Sequence, residues 1–202
     1  TGNEQGNSIQ IDALGNIYTS GIFTSANTDF DPGIGSYTLA SAGLEDVFVS
    51  KLDASGNFIW VKQIGSSGSD ICSSSKLDGS GNINITGNFN MNVDFDPNLA
   101  SYFLFSFGGS DAFVTQLNPA GNLNWAIQLG GTGSDAAYSI SVDNLGNCYT
   151  AGKFQNVGDF YPGIGTYTLF AIGSDDIFIS KVNSSGYFQK ALQIGGLNTN
   201  IA

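Results

Sequence analysis

The chain contains no arginine and no histidine, and its six lysines face seventeen acids, fifteen of them aspartate. Each absence removes a class of function. Phosphate backbones are neutralised by Lys and Arg, so an acidic chain of net charge −11 is unsuited to nucleic acid. Without histidine there is no Ser-His-Asp or Cys-His nucleophile and no imidazole-ligated zinc or haem. The two cysteines, Cys72 and Cys148, stand at different points of the pattern described below, which argues for buried thiols and against a framework disulfide. No apolar run approaches the roughly 20 residues of a membrane-spanning helix. Charge of either sign is scarce, at 11% against about a quarter in ordinary domains.

Turn chemistry fills the space that charge leaves. Glycine numbers 28 and hydrophobic residues make up 41% of the chain. Asp, Asn, Gly and Ser favour turns, whereas the scarce Glu and Lys favour helices. The composition points to an all-β, loop-rich, acidic chain of extracellular or cell-surface location.

The sequence repeats at about 65 residues. Trp60 and Trp125 hold one equivalent position; Asp46, Asp111 and Asp176 hold another; Gly65, Gly130 and Gly195 a third. The expected units are 1–65, 66–130 and 131–196, with 197–202 starting a further repeat, as in a piece of a longer array. Within a unit the pattern reads as two hairpins joined by a long loop. In the third unit, residues 138–143 alternate as a strand, turn at 144–147 and return over 148–154; a second hairpin starts at Asp176 and turns at 183–186. Leu123, Trp125, Ile127 and Leu129 share one strand face, while the strand from Asp46 is apolar on both faces. Strands buried on both faces belong to sheets stacked between neighbours. Three consecutive four-stranded antiparallel blades of a propeller type follow, as a partial or open array, since closed propellers use about four to eight blades.

The strings Asp143-x-x-Gly146-Asn147-x-Tyr149-x-x-Gly152 and Asp176-x-Phe178-x-x-Lys181, then Gly186 and Gly195-Gly196, resemble the SBBP-type β-propeller repeat. The likeness covers essentially the whole chain; Tyr187 and Lys190 depart from it, standing where the other units have Asn and Trp. It implies a propeller fold and a secreted bacterial protein. The Asp-Phe-Asp-Pro loops look like versions found in Bacteroidota surface proteins that use type IX secretion. It carries over no catalytic residue and no cofactor.

Two aspartates at alternate positions invite calcium, a hard cation that takes oxygen ligands. Asp29 and Asp31, Asp94 and Asp96, and Asp159 are the candidate ligands. The favoured reading is an Asx turn in which each Asp binds backbone amides ahead of a proline, and calcium is the alternative, since the third unit has Tyr161 where the others have a second Asp. Trp60 and Trp125 read as inter-blade packing, against sugar stacking as the alternative. The expected function is a non-catalytic repeat scaffold, fibre or adhesion component. Its expected partners are further blades of the chain, other copies of it, or surface glycans and proteins. A glycan-binding module, with calcium as a possible aid, is the second reading, and a carboxylate-based polysaccharide hydrolase or lyase the third. Uniformity of the units supports the first: no unit shows a concentration of unusual polar residues.

Overall fold

The computed structural model describes residues 2–161 and 163–197. Thr1, Pro162 and residues 198–202, most of the expected start of a further repeat, lie outside the described residues. Every regular element among them is a β-strand.

Blade 1 is the sheet β1 (Glu4–Ile11), β2 (Ile17–Phe23), β5 (Asp46–Leu52) and β6 (Phe58–Ile64), with the two-residue strands β3 (Thr28–Asp29) and β4 (Thr38–Leu39) forming a separate ribbon. Blade 2 has β7 (Ile71–Leu77), β8 (Ile83–Asp94), β9 (Phe103–Leu117) and β10 (Leu123–Gly131). Blade 3 has β11 (Ala136–Val142), β12 (Cys148–Phe154), β15 (Asp176–Val182) and β16 (Phe188–Ile194), plus the ribbon β13 (Val157–Asp159) and β14 (Thr168–Phe170). All pairings are antiparallel and run as a meander. The chain is thus an all-β array of four-stranded sheets, none of which closes into a barrel.

The same turn joins the first to the second and the third to the fourth strand of each blade. Asp12, Asp53, Asp78, Asn118, Asp143 and Asn183 each accept the backbone N–H groups two and four residues on through Oδ1. The glycine three residues after each sits at φ of 78° to 84°, a left-handed conformation that favours glycine. Local sequence therefore sets each hairpin's geometry before any packing occurs.

The long connections carry more order than loops. In blade 2 the ribbon is continuous with β8 and β9, which pair as far as Asp94 opposite Phe103. In blade 3 the ribbon leaves its own sheet and joins the preceding one, Gly130 pairing with Asp159 and Gly131 with Gly158. The bridge between Gly65 and Asp94 is the same contact one unit earlier. The ribbons of blades 2 and 3 thereby tie each blade to the outer strand of the blade before it.

Blades stack face to face: β7 packs on β1, β2 and β5, and β11 on β7, β8 and β9. The back face of each blade presents three phenylalanines: Phe23, Phe30 and Phe48; Phe89, Phe95 and Phe113; Phe154, Phe160 and Phe178. The front face presents the aliphatic set Val47, Val49 and Ile64 in blade 1 and Ala112, Val114 and Leu129 in blade 2. Front meets back at both internal interfaces, giving two cores that mix residues of adjacent blades.

The outer strands add a polar clasp. The Trp60 indole N–H and the Lys51 ammonium both donate to the Pro119 carbonyl in the turn of the next blade, at 3.2 and 3.1 Å. The Trp125 indole repeats this on the Ser184 carbonyl at 3.1 Å. A Cβ on Gly186 would lie 2.8 Å from Trp125 Cδ2, whereas one on Gly56 would meet nothing within 4 Å. Both turns need positive φ, but only the first is covered by an indole. Gly56→Ala is expected to cost about 1 kcal/mol through backbone strain alone. Gly186→Ala is expected to cost a further 1–3 kcal/mol or so through overpacking. Urea unfolding of the two variants measures the difference.

Candidate functional site

The candidate calcium loops are occupied by backbone. Asp29 Oδ1 accepts the amides of Asp31 and Tyr37 at 3.0 and 2.9 Å. Asp94 Oδ1 accepts those of Asp96 and Tyr102, and Asp159 Oδ1 those of Tyr161 and Tyr167. Each carboxylate closes its ribbon by binding both ends of the loop. Asp31 and Asp96 accept the amides of Gly33 and Asn98. Among the described residues no group of three or more His, Cys, Asp or Glu converges as a metal cage would.

A second set of aspartates is buried between blades. Asp70 accepts the Ser66 and Asn90 amides and Asp135 the Gly131 and Gln155 amides. Asp46 and Asp111, at the starts of β5 and β9, accept the amides of Ala42 and Phe107 and the side-chain amides of Gln63 and Gln128. Burial pushes the Asp111 carboxyl up to about 7 and those of Asp70 and Asp135 up to about 6, against these N–H donors. Asp46 is raised for the same reason. Cys72 and Cys148 are free and buried, and burial raises both thiols, to about 11 and about 12, which leaves them unreactive near neutrality. Asp175, peculiar to the third unit, pairs with Lys153 at 3.2 Å and accepts from the Gln155 amide.

The feature that breaks the repeat lies between blades 2 and 3. A polar groove of 660 Å³ runs there, floored by Gln116 and Asn124 and walled by the turns at 78–82, 143–147 and 183–187. It continues past Trp125 and Tyr187 into a recess of 540 Å³ bordered by Tyr102 and Tyr161. Among the described residues no lysine lines either part. The equivalent groove between blades 1 and 2 is lined by Tyr18, Lys51 and Lys76.

The difference comes from a pair of cross-strand positions. Tyr18 opposes Lys51 and Tyr149 opposes Lys181, each ammonium lying over the ring at 4.8 and 4.9 Å. At that place blade 2 has Asn84 opposite Gln116. Gln116 Nε2 donates to Asn84 Oδ1 at 2.9 Å, and Asn124 Nδ2 donates to Gln116 Oε1 at 2.8 Å and to Asn82 Oδ1 at 3.4 Å. Asn84 is fully buried; it donates to the Lys76 carbonyl and accepts the Cys148 thiol of blade 3. Buried amides without partners are costly, and this chain of contacts removes that cost while fixing how Gln116 and Asn124 face the groove.

The expectation that no unit concentrates unusual polar residues is therefore corrected. Asn84, Gln116 and Asn124 replace Tyr, Lys and Ile or Gln of the other units, and Tyr187 replaces Asn. Gln116, Asn124 and Tyr187 line one groove, and the buried Asn84 backs it through its bond from Gln116. A position-by-position comparison of the units gives the signal, but only strand pairing shows that substitutions 32 residues apart are neighbours.

Residues 124–153, the last strand of blade 2 and the first hairpin of blade 3, match the family described as Beta-propeller repeat. The chain is also 25% identical, over 98% of its length, to an uncharacterised WD repeat-containing protein of Acanthamoeba polyphaga mimivirus. It spans 16% of that relative's length.

The buried carboxylates predict how stability follows pH. A raised pKa stabilises fully below the unfolded value and is lost as pH climbs through the folded value. Asp70, Asp111 and Asp135 therefore favour folding fully only below about pH 4, and their contribution is lost progressively between there and pH 6–7. Asp29, Asp53 and Asp143 run the other way: the Tyr37 amide and the Asn57 and Asn147 side chains, respectively, hold them below the usual carboxylate range. Their contribution is lost only below about pH 4. The melting temperature is expected to peak near about pH 4 and fall towards pH 7. Asp111→Asn should flatten that fall, as thermal unfolding across pH will show.

Proposed function

We propose that the chain is a non-catalytic scaffold of a secreted or cell-surface protein, completed by further blades of the same repeat on its two open faces. The observation that carries this is the likeness of those faces to the two internal interfaces. In blade 3, Ile194 is 54% exposed, whereas its equivalents Ile64 and Leu129 are 1% and 0% exposed. Tyr149 is 37% exposed where Tyr18 is fully buried. Lys190 stands exposed at the position from which Trp60 and Trp125 clasp the next turn. At the other end Phe30 is partly exposed, while Phe95 and Phe160 are fully buried.

The open front of blade 3 and the open back of blade 1 are thus complementary surfaces. Each fits a blade of this type, from the same chain or from another copy. Such a contact is head-to-tail, and it gives a ring where the rotation closes and a filament where it does not. Three blades from each of two copies would make a six-bladed ring, within the about four to eight of known propellers. The propeller-repeat match and the WD-repeat relative support a repeat scaffold. The acidic, charge-poor composition and the bacterial repeat resemblance support the extracellular setting.

Light scattering of the chain over a concentration series tests the assembly. Concentration-dependent association is expected, and Ile194→Asp together with Leu192→Lys should abolish it without lowering the melting temperature. A chain that stays monomeric throughout counts against association between copies. The calcium reading of Asp29, Asp31, Asp94, Asp96 and Asp159 has its own test. Calcium should raise the melting temperature, and Asp29→Asn with Asp94→Asn should remove the gain while keeping the Oδ1 acceptors of the ribbons. No calcium shift in the parent chain removes the calcium reading and leaves these aspartates as backbone caps.

A further inference from the structure

We propose that the groove between blades 2 and 3 is a binding site for a neutral oligosaccharide. The ring planes of sugars present C–H faces that pack on aromatic side chains, and their hydroxyls pair with amides that both donate and accept. The groove supplies both kinds of group. Trp125 and Tyr187 border its two parts, Tyr102 and Tyr161 continue the aromatic line, and Gln116 and Asn124 form the polar floor. Each part lies within the roughly 300–1,000 Å³ of small-ligand sites.

The polar groups are preorganised. Gln116 is 2% exposed and is gripped at its nitrogen by Asn84 and at its oxygen by Asn124. Asn84 is in turn fixed by Lys76 and Cys148. Gln116 keeps one N–H and one lone pair beyond these bonds, enough to meet a hydroxyl in either sense. The turn carboxylate of Asp78 faces the same space, and a carboxylate takes two hydroxyl donors.

Charge selects among sugars. Blades 1 and 3 carry Lys at the position of Gln116, so among the described residues this groove lacks the cation that its counterpart between blades 1 and 2 has. With Asp78 and Asp159 on its walls, the groove repels uronates and sulfated glycans and accepts uncharged chains. An extended peptide would be held by strand edges through main-chain bonds, which would place no demand on the side chains that set blade 2 apart. Those that line the groove are two amides and a tyrosine, a set suited to hydroxyls and ring faces.

Titration calorimetry with cello-, xylo-, manno- and N-acetylchito-hexaoses tests the proposal, with oligogalacturonate and an extended-peptide library as competitors of other chemistry. One or more neutral hexaoses should bind and oligogalacturonate should not. Tyr187→Asn and Asn124→Ile each install the residue of another unit, so the fold should tolerate them. Each is expected to weaken binding about tenfold, or about 1.4 kcal/mol, with an unchanged melting temperature in Tyr187→Asn and a lower one in Asn124→Ile, which leaves Gln116 Oε1 without its partner. The double variant Asn84→Tyr with Gln116→Lys restores the pair of blades 1 and 3 and should abolish binding. Unaltered affinity in Tyr187→Asn and Asn124→Ile overturns the site. Binding of none of the hexaoses, or of oligogalacturonate or peptides in their place, overturns the ligand class. The association proposed above is read by light scattering on the same variants, so its failure is separable from failure here.

Discussion

Burial of both faces of each sheet is the constraint on which the rest of the structure depends. The central strand β5 is apolar towards Phe23 on one side and towards the second blade on the other, and β9 and β15 follow the same plan. A sheet with two apolar faces cannot stand in water alone. One unit can cover part of its phenylalanine face with its own ribbon, but its aliphatic face needs the next unit. Stacking is therefore a condition of folding, and the indole clasp and ribbon pairing set the register in which it happens. Each bonds a side chain or a ribbon of one blade to the backbone of its neighbour.

That constraint explains the composition. With both sheet faces committed to neighbours, polar residues are confined to turns, ribbon loops and strand ends, which limits how much charge the chain can carry. The acid found there is aspartate because the chain uses it on its own backbone. A carboxylate one methylene from the backbone reaches the amides two and four residues on, as Asp12 and Asp143 do. Glutamate is one methylene longer and loses that fit. The inter-blade aspartates extend the same use into buried sites, where desolvation raises their pKa but backbone N–H groups remain their partners.

The hairpins were readable from sequence because their information is local. An Asp or Asn followed three residues later by Gly fixes the turn, and alternation on either side fixes the strands. The two-faced strand from Asp46 made stacking readable as well. The ribbons were not. β13 and β14 are three residues each and pair across an eight-residue loop, too short for periodicity to register. Joining the ribbon to the previous sheet depends on Gly130 and Gly131 lying close to Gly158, a long-range contact with no local sign. The role of Asp29 and Asp94 was half legible. Their spacing allowed both a metal and a turn, and the tyrosine amide eight residues on, which completes the cap, is visible only in three dimensions.

Departures from internal symmetry carry the remaining information, and the Tyr–Lys position shows how to read them. Replacing Tyr alone would leave an ammonium without its ring, and replacing Lys alone would leave a buried tyrosine beside an unmatched amide. Either single step loses a favourable contact and leaves a polar group short of partners. Exchange to Asn84 and Gln116 is coherent only as a pair, and only with Asn124 and Cys148 positioned to donate to their amide oxygens and the Lys76 carbonyl positioned to accept from Asn84. Blades 1 and 3 show that the fold is served by the ring and the cation. What the amide pair adds is a rigid, uncharged floor of paired donors and acceptors, and it lies where Tyr187 also departs from the repeat. Stability alone gives no reason for changes on two different blades to meet at one groove, whereas a ligand spanning that groove does.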